Sequence, residues 1–330
     1  MKVFLTGGTG LLGSHLAEEL LRSGAEVVAL HRPGADTLFL EESGCALAPG
    51  DVLDSAELLA PLMAGCTHVV HGAALVYAGG TWPAIRAVNV EGTRHVLEAA
   101  ALAGLTHAVH VSSVAVYGTV DDPVSEGHAI DADVPEDDLY ARSKRMAETE
   151  ARLVERERGL PVTVVRPSAV YGERDRLMIP VLAEILRKPV VPVFGHGHNS
   201  LPVVYAGNVA VAIRRMLEAG EGGPDSTYDV GLDYPLTQRE LFAWLAAGLG
   251  RSPRYLTLPA GAVRAAVALL SRLGVKTPGA KHLPLERVAR LALGENPYPS
   301  TRIRQHLDWE PSYSHPESLA RSGRWYATQR

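Results

Sequence analysis

Two groups of residues in this chain have the types and spacing to do chemistry. The first is Thr6-Gly7-Gly8-Thr9-Gly10-Leu11-Leu12-Gly13, directly after the apolar run Val3-Phe4-Leu5. Glycines between a strand and a helix let backbone amides approach a pyrophosphate at the helix N-terminus. The second is Tyr140-Ala141-Arg142-Ser143-Lys144, at the start of a helical stretch. A Tyr and a Lys four apart on a helix share one face, about one turn from each other. There the ammonium stabilises a phenolate and draws its pKa from about 10 toward neutrality. One motif holds a dinucleotide and the other supplies an acid or base at physiological pH. Together they describe a redox site. With 11 Tyr and few Lys, a Tyr-x-x-x-Lys arises by chance about 0.2 times in such a chain, so the setting of each motif carries the weight.

The elements that must position these groups are legible as an alternation. Lys2–Thr6, Glu26–His31, Cys45–Ala48, Thr67–His71, His107–Ser112 and Val162–Arg166 read as strands. Leu11–Ser23, Ser55–Met63, Trp82–Leu102 and Leu139–Arg158 read as the helices between them, with Asp54 and Glu57 as a capping arrangement. Such alternation predicts an α/β fold with a Rossmann-type, doubly wound parallel sheet covered on both faces. Ligands on that sheet sit at the carboxyl ends of the strands. The glycine loop, Asp51, Gly72-Ala73-Ala74, Ser113 and Ser168 all fall just past strand ends, so five loops converge on one crevice. After Tyr171-Gly172 the pattern changes to an irregular, proline-rich segment from Pro180 to Pro202. A helix around Val209–Glu218, a short strand Thr227–Val230 and then mostly helical patterns follow. The expected division is a dinucleotide-binding domain of residues 1–172 plus about 206–231. A smaller, mostly helical substrate lobe takes about 173–205 and 232–330.

Composition removes several classes of function. A net charge of −5 leaves no basic footprint for nucleic acid. The first residues form a strand rather than a signal peptide, and the longest apolar helix candidate, Ala260 to Leu273, is too short to span a bilayer and carries Arg264 and Arg272. Cys45 and Cys66 make neither a disulfide framework nor a zinc site. His196 and His198 have the spacing of metal ligands on a strand, but no Cys, Asp or Glu lies close by in sequence, so no metal is expected. The expectation is a cytoplasmic enzyme of a small molecule, with no nucleic-acid or membrane partner; a homodimer is left open.

The chain resembles the extended short-chain dehydrogenase/reductase family, also called the NAD-dependent epimerase/dehydratase family. Within it, the dihydroflavonol-reductase and 3β-hydroxysteroid-dehydrogenase branch is most similar. Besides the glycine loop, the resemblance rests on Gly50-Asp51-Val52, His71-Gly72-Ala73-Ala74 and Asn89-Val90-Glu91-Gly92-Thr93. Val111-Ser112-Ser113 with Val116-Tyr117-Gly118, and Arg166-Pro167 with Val170-Tyr171-Gly172, complete it. It implies Tyr140 as general acid or base and Lys144 as the residue that binds the nicotinamide ribose. Ser113 would hold the substrate oxygen, and Asn89 would shape the site. Thr6, Gly7, Gly10, Leu11, Leu12, Gly13, Asp51, Val52, Ala73, Ala74, Ser112, Pro167, Ser168 and Val170 would join Tyr140 and Lys144 around the cofactor. Plainer readings stand beside these. Ser113 can be a polar strand end with Ser112 as its rival, Asp51 can satisfy loop amides, and Asn89 can bend its helix. Tyr77, Tyr117 and Tyr171 are candidate substrate contacts or packing residues.

Three positions depart from the family pattern. The second strand ends in His31-Arg32 where NAD-preferring members carry an Asp. Without that carboxylate a 2′-phosphate is not repelled, and the Arg32 guanidinium can clamp it, so NADP is expected ahead of NAD. Ala169 and Leu201 stand where sugar-nucleotide members place an Asn and an Arg for the diphosphate, although Arg174 or Arg176 could substitute. The expected activity is therefore a carbonyl reductase or secondary-alcohol dehydrogenase on an apolar substrate. The alternatives are a nucleotide-sugar epimerase or dehydratase with tightly bound NAD, and a non-catalytic cofactor sensor.

Overall fold

Strands buried on both faces need apolar residues at every position, and Val3-Phe4-Leu5 meets that demand: all three side chains are fully buried. Val3 and Leu5 point to one face of the sheet and Phe4 to the other. The computed structural model describes residues 1–76, 80–118, 120, 123–124, 126, 130, 134–136, 138–223, 225–275 and 285–329. Its strands are β1 (Lys2–Thr6), β2 (Glu26–His31), β3 (Ala46–Pro49), β4 (His68–His71), β5 (His107–Val111) and β6 (Val162–Pro167). They continue with β7 (Ala169–Tyr171), β8 (Val190–Phe194), β9 (Val203–Tyr205), β10 (Thr227–Val230) and β11 (Arg254–Leu258). Among the described residues seven of them form one parallel sheet in the order β10-β6-β5-β4-β1-β2-β3. This is the expected Rossmann-type sheet.

The strand order reverses between β1 and β4, which makes the gap between them the switch point where such sheets bind ligands. Register keeps the strand ends level there. Thr6 lies beside both Leu30 and His71, and His71 lies beside His110. The glycine loop and Gly72-Ala73-Ala74 therefore leave the sheet side by side.

The helices are α1 (Leu11–Arg22), α2 (Leu38–Glu42), α3 (Ala56–Leu59), α4 (Trp82–Arg86), α5 (Gly92–Leu102), α6 (Leu139–Arg158) and α7 (Met178–Leu186). After them come α8 (Ala206–Ala219), α9 (Gln238–Gly248), α10 (Ala260–Arg272), α11 (Leu285–Leu293), α12 (Thr301–Leu307) and α13 (His315–Thr328). Leu16 and Leu20 of α1 and Ile213 and Met216 of α8 cover one face of the sheet. Val96 and Leu97 of α5 and Val154 of α6 cover the other. The chain leaves the sheet after β6, returns with α8 and β10, and leaves again. The excursions pair β7 with β9 and β8 with β11. They pack α7, α9 and α13 around a separate core of Leu186, Val191, Leu245 and Leu319.

Several elements differ from the sequence reading. The helix expected over Ser55–Met63 is α-helical only to Leu59 and tightens to a 3₁₀ turn over Ala60–Met63. Pro61 has no N–H to continue the α-helical ladder. Ser55, not Asp54, takes the N-cap position, and Asp54 Oδ2 instead accepts the Asp51 N–H at 2.8 Å. The long helix expected over Trp82–Leu102 is interrupted by a π turn, Ala87–Glu91. The stretch Pro180 to Pro202, read as irregular, holds most of α7 and all of β8. Pro180 sits in the first turn of its helix and Pro192 in a two-stranded sheet, both places where proline is tolerated.

Candidate active site

The glycine loop is built from contacts that only a missing Cβ allows. Gly7 has φ +77°, and a Cβ on it would lie 2.7 Å from the Gly72 carbonyl carbon. A Cβ on Gly13 would lie 2.1 Å from the Gly7 carbonyl oxygen. These two glycines let β1, the loop after β4 and α1 meet at backbone distance. Gly10 occupies the N-cap of α1, and no side chain caps that end. The first-turn amides of α1 thus remain for a ligand, with the helix dipole favouring an anion. Leu11 and Leu12 are half-buried in that turn, and Gly13 is buried beneath it. A dinucleotide pyrophosphate fits this cradle in charge and in shape.

Thr6 and Ala73 serve the loop rather than pointing free. Thr6 Oγ1 accepts the Ala73 N–H at 3.2 Å and meets His71 Nδ1 at 2.8 Å. His71 Nε2 meets Thr93 Oγ1 at 3.0 Å, and that hydroxyl donates to the Asn89 carbonyl at 2.7 Å. A carbonyl only accepts, so Nε2 carries the ring proton and Nδ1 accepts from Thr6. Burial draws the His71 pKa down to about 3, with the Lys144 charge adding to it, so the ring is neutral. Gly92 belongs to this arrangement because a Cβ there would press on Val52 Cγ2 at 3.0 Å. The motif Asn89-x-x-Gly92-Thr93 thus welds the loops after β3 and β4 to α5.

Asn89 sits in the π turn and is 1% exposed. Its Oδ1 accepts the Leu75 N–H at 2.7 Å, and its Nδ2 donates to the Leu75 carbonyl at 2.9 Å and to Ser143 Oγ at 2.9 Å. Ser143 in turn donates to the Tyr140 carbonyl at 2.8 Å. Asn89 sits where its helix bends, the plainer of the two readings given from sequence. The bend turns its amide to clamp the loop after β4 onto the first turn of α6.

Asp138 caps α6 by accepting the Ala141 N–H at 3.0 Å, and Gly159 ends the helix at φ +70°. The buried stripe of α6 is Ala141, Lys144, Ala147, Glu148, Ala151 and Val154, so two ionisable residues stand on a face that packing wants apolar. Lys144 Nζ donates to the Val111 carbonyl at 2.7 Å and lies 5.9 Å from the centroid of the half-buried Tyr140 ring. Burial brings the Lys144 pKa down to about 8, against an opposing pull from Glu148. Glu148 is answered by Arg166 of β6 through two bonds, Nε to Oε1 at 2.8 Å and Nη2 to Oε2 at 2.6 Å. Arg166 Nη1 also donates to the Tyr117 hydroxyl at 2.8 Å, which donates to Asp229 of β10 at 2.8 Å. Burial, with the nearby Glu126 charge, raises the Asp229 pKa to about 7. This network was missed from sequence. Its signal was there: Tyr140, Lys144 and Glu148 are spaced i, i+4, i+8, so a buried lysine face implies a buried glutamate needing a cation.

The two serines after β5 separate cleanly. Ser112 is buried, and its hydroxyl donates to Glu148 Oε1 at 2.5 Å, so its side chain belongs to that network. Ser113 is half-buried and caps the 3₁₀ turn Val114–Tyr117 by accepting the Ala115 N–H at 3.1 Å. Its own O–H remains to donate. Asp51 Oδ1 accepts the Leu53 N–H at 3.1 Å, the loop role weighed from sequence. Val52 and Pro167 are buried, Ala74 and Val170 are half-buried, and Ser168 is buried and donates to the Gly231 carbonyl at 3.1 Å. Arg32 follows β2, is exposed, and makes no ion pair among the described residues.

The candidate substrate contacts need correction. Tyr117 is buried, with its hydroxyl in the Arg166–Asp229 network and its ring stacked on Tyr298. Tyr171 is buried, and its hydroxyl bonds His315 Nδ1 and Ser318 Oγ, both at 2.7 Å. Both rings are internal struts: Tyr117 is held between Arg166 and Asp229 of the main sheet and Tyr298, and Tyr171 by His315 and Ser318 of α13. Leu201 lies in the core of the smaller lobe, whereas Ala169 is exposed in β7. Arg174 does not replace the missing diphosphate contacts: its guanidinium bonds Ser14 and Glu18 of α1, both at 2.8 Å, and covers the Phe39 ring. Tyr77 lies outside the described residues. His196 Nδ1 accepts the His198 N–H at 3.1 Å. Among the described residues no group of three or more His, Cys, Asp or Glu side chains is gathered for a metal.

The chain is similar in sequence and in fold to known proteins. The chain is 30% identical over 259 residues to a 2-alkyl-3-oxoalkanoate reductase of Stenotrophomonas maltophilia, covering 77% of each chain. It is 28% identical to a 4-hydroxy-2-methyl-3-oxo-4-farnesyl-3,4-dihydroquinoline-1-oxide ketoreductase of Stigmatella aurantiaca, over 97% of this chain and 95% of that one. Among solved structures, the dTDP-glucose 4,6-dehydratase DesIV of Streptomyces venezuelae, determined with NAD bound, superposes with a TM-score of 0.75 at 26% identity. It covers 100% of this chain and 98% of its own. A family profile described as the NAD dependent epimerase/dehydratase family matches residues 3–231. With that match over its sheet, its glycine cradle and its Tyr140–Lys144 helix, the chain belongs to the NAD-dependent epimerase/dehydratase family of extended short-chain dehydrogenases/reductases.

Proposed function

We propose that this enzyme is an NADP-preferring carbonyl reductase, or secondary-alcohol dehydrogenase in reverse, acting on apolar substrates. The observation that carries the chemistry is the buried stripe of α6, which sets the Lys144 ammonium one turn from Tyr140 at the end of β5. A bound nicotinamide dinucleotide supplies the hydride. Negative charge then builds on the substrate oxygen, and Tyr140 delivers a proton to it while the Ser113 hydroxyl donates a second hydrogen bond. Lys144 lowers the cost of the resulting phenolate, and its bond to the Val111 carbonyl keeps it in place. Asn89 and Glu148 hold the helix and the strand end that carry these groups.

Substrate class rests on what the mouth of the site lacks. Ala169, exposed in β7, offers a diphosphate no donor, Leu201 is packed into the core of the smaller lobe, and of the two arginines that could substitute Arg174 is committed to α1 while Arg176 is exposed. A diphosphate moved from water to such a site loses hydrogen bonds and charge compensation together. The reductase names of the two relatives support the same reading. Cofactor choice rests on Arg32, exposed after a strand that ends without a carboxylate. A second reading, a nucleotide-sugar dehydratase or epimerase that keeps its NAD, is favoured by the full-length likeness to DesIV.

A thermal-shift panel separates the two, because a ligand raises the melting temperature through binding linkage. NADP should raise it more than NAD at equal concentration, and UDP-, dTDP- and GDP-sugars should add nothing beyond the cofactor. A large further rise with any nucleotide sugar would transfer the assignment to the second reading.

A further inference from the structure

Three consecutive residues after β7 reach into three parts of the molecule. Glu173 is buried; its Oε2 accepts the Tyr205 hydroxyl of β9 at 2.9 Å, and its Oε1 accepts Arg321 Nε of α13 at 2.7 Å. Arg174 turns the other way. Its Nε donates to Ser14 Oγ and its Nη2 to Glu18 Oε2 of α1, both at 2.8 Å, and its guanidinium lies 4.1 Å from the centroid of the Phe39 ring in α2. Asp175 accepts the Leu177, Met178 and Ile179 N–H groups and starts α7. The backbone marks the middle residue of the three. Arg174 has φ +67°, where glycine sits at no steric cost and a residue with a Cβ stays only when its surroundings hold it. Among the described residues Asp308 is the other non-glycine residue with positive φ, and it caps the end of α12; Arg174 ends no helix.

The place of these contacts gives them a use. A dinucleotide on such a sheet has its pyrophosphate at the N-terminus of α1, at the switch point, and one half to either side. One side is that of β2 and Arg32, and the other that of β5 and β6, where Tyr140 and Lys144 stand. Arg174 comes from the second side, since β7 follows directly on β6. Its guanidinium nevertheless sits on α1 and on α2, the helix that follows β2. Helix α2 also backs the glycine loop, because a Cβ on Gly8 would lie 3.3 Å from Leu40 Cδ1. Gly172 completes the join: a Cβ there would lie 2.9 Å from His15 Nε2 and 3.3 Å from Leu11 Cδ1 of α1. The strip from Pro167 to Tyr171 is thus fastened to both helices by one side chain and by the absence of another.

We propose that Arg174 is a positioning residue for the cofactor: it braces the strip of residues 167–171 against α1 and α2, so that a dinucleotide finds both halves of its site at one spacing. This rests on the dinucleotide cradle and not on the choice of NADP over NAD or of any substrate. Preorganisation of this kind acts on a ligand that spans the joint and leaves nearly alone a ligand held on one side of it. Arginine suits the task, because its planar fork bonds two oxygens of α1 while its face covers a ring, which a lysine ammonium does not do. Glu173 anchors the other end through Tyr205 and Arg321, so the brace is seated in the frame of the smaller lobe rather than on a free loop.

The test is calorimetric titration of the full-length protein with NAD and NADP, and with the ADP-ribose and 2′-phospho-ADP-ribose they contain, which lack only the nicotinamide. Arg174→Gly keeps the turn at φ +67° without steric cost and removes only the side chain, so its melting temperature should stay within a few degrees of the wild type. Whichever dinucleotide binds the wild type more tightly should bind Arg174→Gly about tenfold more weakly, and its ADP-ribose counterpart less than about threefold. Glu18→Ala removes one partner of Arg174 from an exposed position on α1. It should show the same split at smaller size, and it decides the matter if Arg174→Gly fails to fold. An equal loss for dinucleotide and ADP-ribose overturns the proposal, because it assigns Arg174 to general support of the cradle. Unchanged dinucleotide affinity in both variants overturns it too, as does a wild type that gains nothing from the nicotinamide.

Discussion

In the proposed mechanism Tyr140 and Lys144 divide one task, and each should leave a separate kinetic signature. Tyr140→Phe keeps the ring and deletes the proton donor, so kcat should fall at least about 100-fold while NADP affinity, read by calorimetry, stays within a few-fold. A loss under tenfold would remove Tyr140 from the mechanism. Lys144 has its ammonium pKa drawn down to about 8 by burial. The cation is present below that value and lost above it, so kcat/KM for carbonyl reduction should decline as pH rises past about 8. Lys144→Met should lose that limb of the profile together with most of the rate. In the proposed reading Arg32 acts only on cofactor choice. Arg32→Ala should weaken NADP about 10- to 100-fold and NAD little, because only NADP offers the 2′-phosphate to a guanidinium. Equal loss for both would place selectivity elsewhere.

Helix α6 shows where sequence reasoning reaches and where it stops. Its span, Leu139–Arg158, was legible to the residue because a capping Asp138 and a terminal Gly159 bracket a clear stripe. The four-residue spacing that identified Tyr140 and Lys144 also contained Glu148, whose partner Arg166 is on another element. Period reveals which residues share a face; it does not reveal what the facing strand brings. Ser112 and Ser113 were inseparable in sequence for the same reason, since only the fold shows which hydroxyl Glu148 takes. The sequence left Tyr117 and Tyr171 between substrate contact and packing, because their partners Asp229 and His315 come from 112 and 144 residues further along the chain. The π turn at Asn89 was equally invisible, because it follows from the clamp on Leu75 and Ser143 rather than from propensity. Two tests belong to this scale. Glu148→Ala strands the buried Arg166 cation and should cost about 3–5 kcal/mol in chemical denaturation, whereas a change below 1 kcal/mol would deny the network its structural role. Gly13→Ala drives a methyl onto the Gly7 carbonyl, where overpacking costs about 1–3 kcal/mol, and should abolish cofactor binding.

Across the whole molecule, buried histidines make the fold sensitive to acid. Burial lowers His15 to about 4, His71 to about 3 and His107 to about 4, and takes His110 well below its usual value. Each stays neutral in the fold but takes up a proton below about 6.5 when unfolded. Stability is therefore present above that value and lost as pH falls, by about 1.4 kcal/mol per pH unit for each group. Asp229, raised to about 7, works the other way, since its folded form binds a proton more readily. Four groups against one leave a net loss, so the melting temperature should drop steeply between pH 6.5 and 5, and a flat profile there would contradict the neutral burial of these rings. The sheet, its switch point and the helix carrying Tyr140 form one frame, and that frame claims hydride transfer with the proton supplied by Tyr140. The most direct measurement is NADPH oxidation followed by absorbance, with apolar ketones and 3-oxo acids as substrates, for wild type and Tyr140→Phe. The account predicts NADPH consumption matched one-to-one by a secondary alcohol in the wild type and almost none in the variant. Conversion of a nucleotide sugar with no net NADPH consumed, or full activity in the variant, would contradict it.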